Sequence, residues 1–262
     1  MKVEQIFDVS GRIAFVTGAA NGIGLAMAEV MAMNGATAVM ADIDADKLET
    51  EVARLRDEGY AAEPVVLDVA DLEALRTAID GAAGRHGRLD AVFANCGVSA
   101  GPGFAKPQGR LEAVSLEAWQ RVVHINLTSV FVTIQAAAAH MMKQKSGCII
   151  ITSSIAGLGA EDMVGYAYTA TKAAINNLVR QAARELAPYN ISVNAIAPGP
   201  FRTNIGGGRI NDPEVAATFE AMVPAGRIAE TDELKGLILL LASPAASYLT
   251  GTVIPIDGGT TA

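Results

Sequence analysis

The helix-period segment that opens at Tyr168 carries a lysine four residues on, Tyr168-Thr169-Ala170-Thr171-Lys172, so a phenol and an ammonium share one helix face. A tyrosine with its ordinary pKa near 10 is a poor base at neutral pH, and lowering it by about 3 units takes roughly 4 kcal/mol of differential stabilisation of the phenolate. An adjacent ammonium can supply much of that. Alone, the spacing more often marks a solvated pair, and its meaning comes from its neighbours. Fourteen positions before Tyr168, Ile151-Thr152-Ser153-Ser154 ends a β-branched run, where a serine hydroxyl can hold a carbonyl oxygen while the tyrosine exchanges the proton. Asn126, between Ile125 and Leu127 in an apolar helical run, needs bound water or backbone as a partner if buried.

A second constellation binds rather than reacts. Thr17-Gly18-Ala19-Ala20-Asn21-Gly22-Ile23-Gly24 follows an apolar run and precedes a helical period from Leu25 to Met33. A strand feeding a glycine-rich turn that opens a helix brings backbone N–H groups and the positive helix end against a phosphate. The spacing is not G-x-G-x-x-G, because Met27 falls where the third glycine belongs. Asp42 lies 24 positions after Gly18, about where an acid bonds the adenosine ribose hydroxyls. That acid repels a 2′-phosphate by about 4 kcal/mol at 4 Å and an effective dielectric of 20. No Arg or Lys at Ala19, Ala20, Asn21, Ile43 or Asp44 offsets it, so the expected cofactor is NAD.

The elements that must position these residues read as an α/β chain. Strands are expected near Arg12 to Thr17, Thr37 to Ala41, Pro64 to Leu67, Ala91 to Ala94, Gly147 to Thr152, Ser192 to Ala197 and Val253 to Ile256, alternating with helical periods. Their continuously apolar runs, such as Cys148-Ile149-Ile150-Ile151, suit strands covered on both faces. The expected fold is a Rossmann-like, doubly wound parallel sheet of about seven strands flanked by helices, with residues 1–262 as one domain. Gly18, Asp42, Asp68, Asn95, Ser154 and Pro198 each follow a strand end, where ligands bind in open α/β sheets. Residues 198–226, with Gly206, Gly207, Gly208, Pro213 and Pro224, read as an extended loop with short helical pieces, a substrate loop or lid over about 199–226.

Composition excludes other classes. The chain has 262 residues, a net charge of −8 and 51% hydrophobic content, which argues against nucleic acid, an anionic membrane surface and disorder. Two uncharged stretches, Val122 to Met142 and Gly236 to Ile256, are interrupted by polar residues or by prolines and glycine, so buried elements are expected rather than membrane spans. Cys96 and Cys148 sit in or beside apolar runs without CxxC spacing, and His86, His124 and His140 lack ligand spacing. No metal site is expected, Cys96 reads as buried and inert, and a reducing, cytoplasmic setting follows, with no signal peptide at the N-terminus.

Taken together, Thr17-Gly18-x-x-x-Gly22-x-Gly24, Asn95-Cys96-Gly97, Asn126, Ser154, Tyr168-x-x-x-Lys172 and Pro198-Gly199 occur in the order of the short-chain dehydrogenase/reductase family, which the chain resembles over nearly its whole length. The resemblance implies that Tyr168 is the general acid/base, that Lys172 lowers its pKa and binds the nicotinamide ribose, that Ser154 orients the substrate oxygen, and that Asn126 supports a water-linked proton relay. It selects Ser154 over Ser153 through Gly157, three residues on, although the Ser154-to-Tyr168 spacing is one residue longer than common in the family. Tyr166, with Ala170 four residues later, is expected to line the pocket rather than to react. The implied cofactor contacts are Gly18, Asn21, Gly22, Ile23, Gly24, Asp42, Ile43, Asp68, Val69, Asn95, Gly97, Tyr168, Lys172, Pro198, Gly199, Phe201 and Thr203. Asp257-Gly258-Gly259 matches the family's C-terminal turn, and the family's homotetramer is implied, with the helices of Asn126 and Tyr168 at an interface.

The expected activity is hydride transfer between NAD(H) and a secondary alcohol or ketone. A non-catalytic NAD-binding redox sensor is the alternative, and a serine hydrolase is disfavoured by the lack of G-x-S-x-G. The expected pocket wall of Ser99, Phe104, Leu158, Met163, Val164, Phe201 and Ile205 is mostly apolar, with Glu161 and Asp162 nearby, which suits a small neutral substrate. Arg202 and Arg209 are the two cations that could instead clamp a carboxylate.

Overall fold

The computed structural model describes residues 2–205 and 207–262, without the side chain of Arg209. Seven parallel strands form one sheet in the order β3-β2-β1-β4-β5-β6-β7. They are β1 (Ile13–Thr17), β2 (Thr37–Asp42), β3 (Ala62–Val66), β4 (Ala91–Ala94), β5 (Gly147–Thr152), β6 (Ile191–Pro198) and β7 (Val253–Ile256). Helices connect them: α1 (Val3–Ile6), α2 (Gly22–Met33), α3 (Ala45–Asp57), α4 (Leu72–His86), α5 (Leu116–Val123), α6 (Ser129–Gln144), α7 (Tyr166–Leu186), α8 (Pro213–Met222) and α9 (Lys235–Ala242). The expected doubly wound Rossmann-like sheet is therefore present, and its strand order reverses between β1 and β4, where such folds bind ligands.

The continuous apolar runs have a direct cause. In β1, Ile13 and Phe15 join the core layer beneath α4, α6 and α7, while Ala14 and Val16 join the layer beneath α2, α3 and α9. The same alternation divides Val92 from Phe93 and Ile149 from Ile150, so every position of a central strand meets an apolar layer. The third strand begins two residues earlier than the expected Pro64 to Leu67. It is an edge strand that pairs only with β2, and there Pro64 stands opposite Met40 at no cost to an inner ladder.

Two local departures bear on the site. The run read as one apolar helix around Asn126 is α5, a π-helical turn at His124–Thr128 and then α6. This continuous stretch, Leu116–Gln144, is long and apolar enough to cross a membrane by length and composition, but half of its most apolar window is buried inside the protein. In the segment read as an extended loop with short helical pieces, the helical piece is a ten-residue helix, α8, with Asp212 accepting from the Glu214 amide and Pro213 in the first turn. It buries only Ala216, so it lacks the apolar stripe by which helices are recognised in sequence.

At the amino ends of the central strands β1 and β4, buried Asp90 accepts from the Ile13 amide at 2.9 Å and from Arg88 Nε and Nη2 at 2.8 and 2.6 Å. Asp90→Ala strands that amide, so we expect a loss of about 2 kcal/mol in urea unfolding with turnover per folded molecule unchanged.

Candidate active site

The carboxyl ends of β1, β4 and β5 are joined by one side chain. Asn95 Nδ2 donates to the Thr17 carbonyl at 3.1 Å and the Gly18 carbonyl at 3.4 Å, while its Oδ1 accepts from Thr152 Oγ1 at 2.9 Å. Thr17 Oγ1 returns the tie, accepting from the Asn95 and Cys96 amides at 3.0 and 3.1 Å and donating to the Phe93 carbonyl at 3.2 Å. An amide side chain with both donors and an acceptor suits such a junction, which no apolar residue could satisfy.

The glycine turn is built against this brace. Gly18 has φ +68° and Gly22 φ +57°, in the left-handed region that favours glycine. At Gly24 a Cβ would stand 2.0 Å from the Gly18 carbonyl oxygen and 2.6 Å from Asn95 Nδ2, so α2 can start this close to the turn only from glycine. Asn21 precedes α2 in an extended conformation, yet its side chain caps no amide. The first-turn amides are thus left to an outside acceptor, and with the positive helix end they fit a dinucleotide pyrophosphate. Beside the turn, buried Asp42 accepts from the Ala20 amide at 2.9 Å and the Asp44 amide at 3.1 Å, which fixes its carboxylate at the end of β2. Ile43 is 65% exposed and Asp68 is exposed, whereas Val69 is buried. On the far side, a Cβ at Gly22 would lie 3.5 Å from Thr203 Cγ2, which brings the segment after β6 against the turn.

The phenol and the ammonium meet as the spacing implies. Lys172 is buried, its Nζ donates to the Thr152 carbonyl at 2.7 Å, and it lies 5.4 Å from the centroid of the Tyr168 ring. Burial lowers the Lys172 pKa to about 8, with Cys96 acting weakly the other way. For Tyr168 the direction differs from the lowering the resemblance implies. Burial pushes the phenol above its ordinary value, and its hydrogen bond with Ser154 only partly opposes this.

The two serines separate clearly. Ser153 is 1% exposed and donates to Asn176 Oδ1 at 2.6 Å and to the Lys172 carbonyl at 3.3 Å, so its hydroxyl is committed to tying β5 to α7. Ser154 begins a short 3-10 turn, Ile155–Gly157, where its Oγ accepts from the Ala156 amide at 3.2 Å, and its hydroxyl is close enough to Tyr168 to act on the phenol's pKa. Asn176 also donates to the Gly157 carbonyl at 2.8 Å, and at Gly157 a Cβ would stand 2.6 Å from the Lys172 carbonyl carbon. Asn176 thus holds Ser153 and the far end of the Ser154 turn, while Ser153 reaches the Lys172 backbone. Sequence reasoning missed it, although an Asn one turn after Lys172 on an apolar helix face was an available signal. Asn126 is fully buried and pairs twice with Val98, Oδ1 accepting from its amide and Nδ2 donating to its carbonyl, both at 2.8 Å. A Cβ at Gly97 would lie 3.4 Å from Asn126 Oδ1 and 3.8 Å from Lys172 Nζ, so Asn126, Gly97 and Lys172 adjoin.

On the substrate side, two loops are zipped together by the Pro102–Val164 bridge, the Gly103 amide to the Met163 carbonyl at 3.1 Å, and the Ala105 amide to the Asp162 carbonyl at 3.1 Å. Phe104 and Tyr166 lie with ring centroids 6.3 Å apart. Tyr166 also borders a shallow cavity of about 320 Å³ with Trp119, Ala160 and Ala173, on the face of α7 away from Lys172. Phe104, Leu158 and Ile205 are exposed, but Phe201 is not a wall residue, because its ring is 4% exposed within the core layer. Burial, and then Asp162, raise the Glu161 pKa. The Arg202 guanidinium is already engaged by Glu230 at 3.0 Å and Glu220 at 3.4 Å. The Arg209 side chain and Gly206, the first of the three loop glycines, lie outside the described residues.

Burial pushes the Cys96 thiol up to about 11 and the Cys148 thiol up to about 12, far from thiolate reactivity at neutral pH. His86 pairs with Glu63, His140 with Asp80, and His124 with the Ala70 carbonyl. Among the described residues no group of His, Cys, Asp and Glu could hold a metal ion.

Comparison with known proteins gives consistent relatives. Residues 18–261 match a family model described as enoyl-(acyl carrier protein) reductase. The chain is 40% identical to the cis-4-hydroxycyclohexanecarboxylate dehydrogenase of Sinomonas cyclohexanicum, covering 96% of this chain and 97% of that one. It is 36% identical to the cyclohexanol dehydrogenase of Rhodococcus sp. (strain TK6), covering 96% of each. Among solved structures, the gluconate 5-dehydrogenase of Burkholderia cenocepacia J2315 in complex with NADP and tartrate superposes with a TM-score of 0.90 at 34% identity, covering 99% of both chains.

The buried Lys172 has a testable signature. Its pKa is lowered from 10.5 to about 8 on folding, so between those values the unfolded chain binds more protons. The unfolding free energy of the wild type relative to Lys172→Met should therefore rise as pH rises from about 8 to 10.5, by about 3 kcal/mol. A flat difference in denaturant titrations across that range would remove the buried ammonium.

Proposed function

The chain belongs to the short-chain dehydrogenase/reductase family, and on that premise we propose that it is an NAD-dependent dehydrogenase of a small neutral secondary alcohol, with a cyclohexanol-type ring as the favoured substrate class. The observation that carries the chemistry is the junction of buried Ser154 and Lys172 with half-buried Tyr168 at the end of β5 and the start of α7. Two relatives act, by name, on ring alcohols, one of which also bears a carboxylate, and the expected wall of Phe104, Met163, Val164 and Leu158 is mostly apolar, which favours the neutral ring.

Oxidation of a secondary alcohol removes a hydride from carbon and a proton from oxygen, and bound nicotinamide cofactor supplies the hydride acceptor. Tyr168 exchanges the proton with the substrate oxygen, and Ser154 Oγ holds that oxygen within reach. The Tyr168 phenol, protonated at neutral pH at its ordinary value and pushed further up by burial, suits the acid of the reverse, reductive direction. Lys172 stands beside the phenol, anchored by the Thr152 carbonyl, and its charge favours the phenolate when the proton leaves. Asn126 holds Val98 and thereby the turn after β4, and its place beside Lys172 suits support of a proton relay.

Cofactor contacts are assigned to the amides at Gly18, Asn21, Gly22, Ile23 and Gly24 for the pyrophosphate, Asp42 and Ile43 for the adenosine, Asp68 and Val69 for adenine, and Asn95 and Gly97 beside the ribose. Pro198, Gly199, Phe201 and Thr203 are assigned to the nicotinamide amide. The Burkholderia enzyme holds NADP. In this chain Asp42 is anchored by two main-chain amides and has no cation beside it in sequence, which favours NAD. Relatives that are enzymes give no support to the redox-sensor alternative. A homotetramer is also proposed. The exposed groove between α6 and α7, lined by Leu127, Phe131, Ala174 and Leu178, offers an apolar face for a second copy.

Initial rates on neutral ring alcohols, polyols and hydroxy acids, each with NAD and NADP, test the reading. NAD should be preferred by about a hundredfold or more in kcat/KM, as a repulsion near 4 kcal/mol would exceed that before screening. Tyr168→Phe should lower kcat by about 10² to 10⁴ while weakening NAD binding by far less, within about tenfold. NADP preference, or turnover surviving Tyr168→Phe, would overturn the respective assignment. Because Arg202 is held by two glutamates, Arg202→Gln should raise KM by about twofold to fivefold alike for neutral and carboxylate-bearing alcohols. A loss confined to the carboxylate substrates would make Arg202 their reader.

A further inference from the structure

The turn that follows β7 is stapled by one side chain. Asp257 Oδ1 accepts from the Gly259 amide at 2.9 Å, and Oδ2 accepts from the Thr261 amide at 2.9 Å and from Thr261 Oγ1 at 2.7 Å. Its own carbonyl accepts from Thr260 Oγ1 at 2.6 Å. Burial pushes the carboxyl up, but the bonds from Thr261, Gly259 and Thr260 outweigh it and hold the group below the ordinary carboxylate value. Gly258 at φ +63° and Gly259 at φ +92° give the turn its left-handed path.

This one turn touches both ends of the substrate loop. At its start, the Gly199 amide donates to the Ile256 carbonyl at 3.0 Å, and a Cβ on Gly199 would stand 2.8 Å from Asp257 Cα and Cβ. At its end, the Ala225 amide donates to the Gly258 carbonyl at 3.1 Å, and a Cβ on Gly258 would stand 2.7 Å from Val223 Cγ1. Between those ends, Thr203 lies against Gly22 of the glycine turn, while Arg202 reaches Glu220 of α8. A shift of the Asp257 turn therefore moves residues 199–203 and 223–225 together, and through Thr203 it reaches the wall of the crevice.

We propose that Asp257 is a positioning residue for cofactor and substrate, which sets the seat of the 199–226 loop by holding the turn that clamps both of its ends. It touches no reacting atom. The inference rests on the reading that residues 198–203 contact the cofactor, and it adds that the sharpness of this contact depends on a carboxylate one strand away.

The test uses the full chain with Asp257→Ala and Asp257→Asn. Asn keeps one acceptor for the Gly259 amide but turns a donor toward Thr261, so it should lie between Ala and the wild type. Hydrogen exchange should accelerate by about tenfold in residues 199–226 and 256–262 of the Ala variant, with the central strands unchanged. KM for NAD and for the alcohol should rise by about threefold to tenfold while kcat stays within about twofold. Exchange that accelerates evenly through the sheet would make Asp257 a general stability residue, and an unchanged loop would remove the clamp. If the wild type turns over none of the alcohols, the functional reading fails, while the exchange pattern still decides whether the turn seats the loop.

Discussion

The hydrogen bonds of Asn95 are the constraint on which the crevice depends. A parallel sheet leaves its strand ends free to splay, and the chemistry proposed here needs groups from β1, β4, β5 and α7 within a few ångströms of one another. Asn95 and Thr17 lock the first two strands, and Thr152 extends the lock to the third. The Thr152 carbonyl then receives Lys172, so a path of short contacts runs from the glycine turn to the ammonium beside Tyr168. Each neutral bond contributes about 1 kcal/mol net, but breaking one inside this cluster leaves buried partners unpaired at about 1–3 kcal/mol each. The junction therefore behaves as a unit.

Burial sets the protonation states more strongly than proximity does. Lys172 loses proton affinity and Tyr168 gains it, both because a charge there would lie out of water. At neutral pH this leaves a neutral phenol beside a lysine that is still mostly an ammonium but whose hold on its proton is weakened. A substrate oxygen on Tyr168 and Ser154 fits that state, because a proton can move between them without opening the site to solvent. Ser153 is spent on Asn176. Two adjacent serines follow β5 in extended backbone, which sends one into the core and leaves the next for the crevice.

Much of this was legible in the sequence, for identifiable reasons. The seven strands carried their signal in continuous apolar runs, since both faces are covered; the edge strand slipped by two residues because Pro64 reads as a strand start but sits within one. The glycine turn was legible because positive φ and close approach leave few residues other than glycine at Gly18 and Gly24. What stayed hidden depends on contacts remote in the chain. Asn176 works 23 residues from Ser153, Asp257 grips a turn beside Gly199, and Arg202 finds its glutamates across α8. The direction of the Tyr168 shift was hidden too, because a spacing of four shows the lysine but not the depth of burial. Helix α8 was legible only as a short helical piece of a loop, because a helix that buries one residue leaves no stripe to show its extent.

The most direct measurement is a crystal structure of the chain with NAD and a ring alcohol that it oxidises slowly. The expected result places the alcohol oxygen within hydrogen-bond reach, about 2.6 to 3.2 Å, of both Tyr168 Oη and Ser154 Oγ, with the adenosine ribose hydroxyls on Asp42. An alcohol oxygen held by Glu161, or by any group that leaves Tyr168 out of reach, would contradict it.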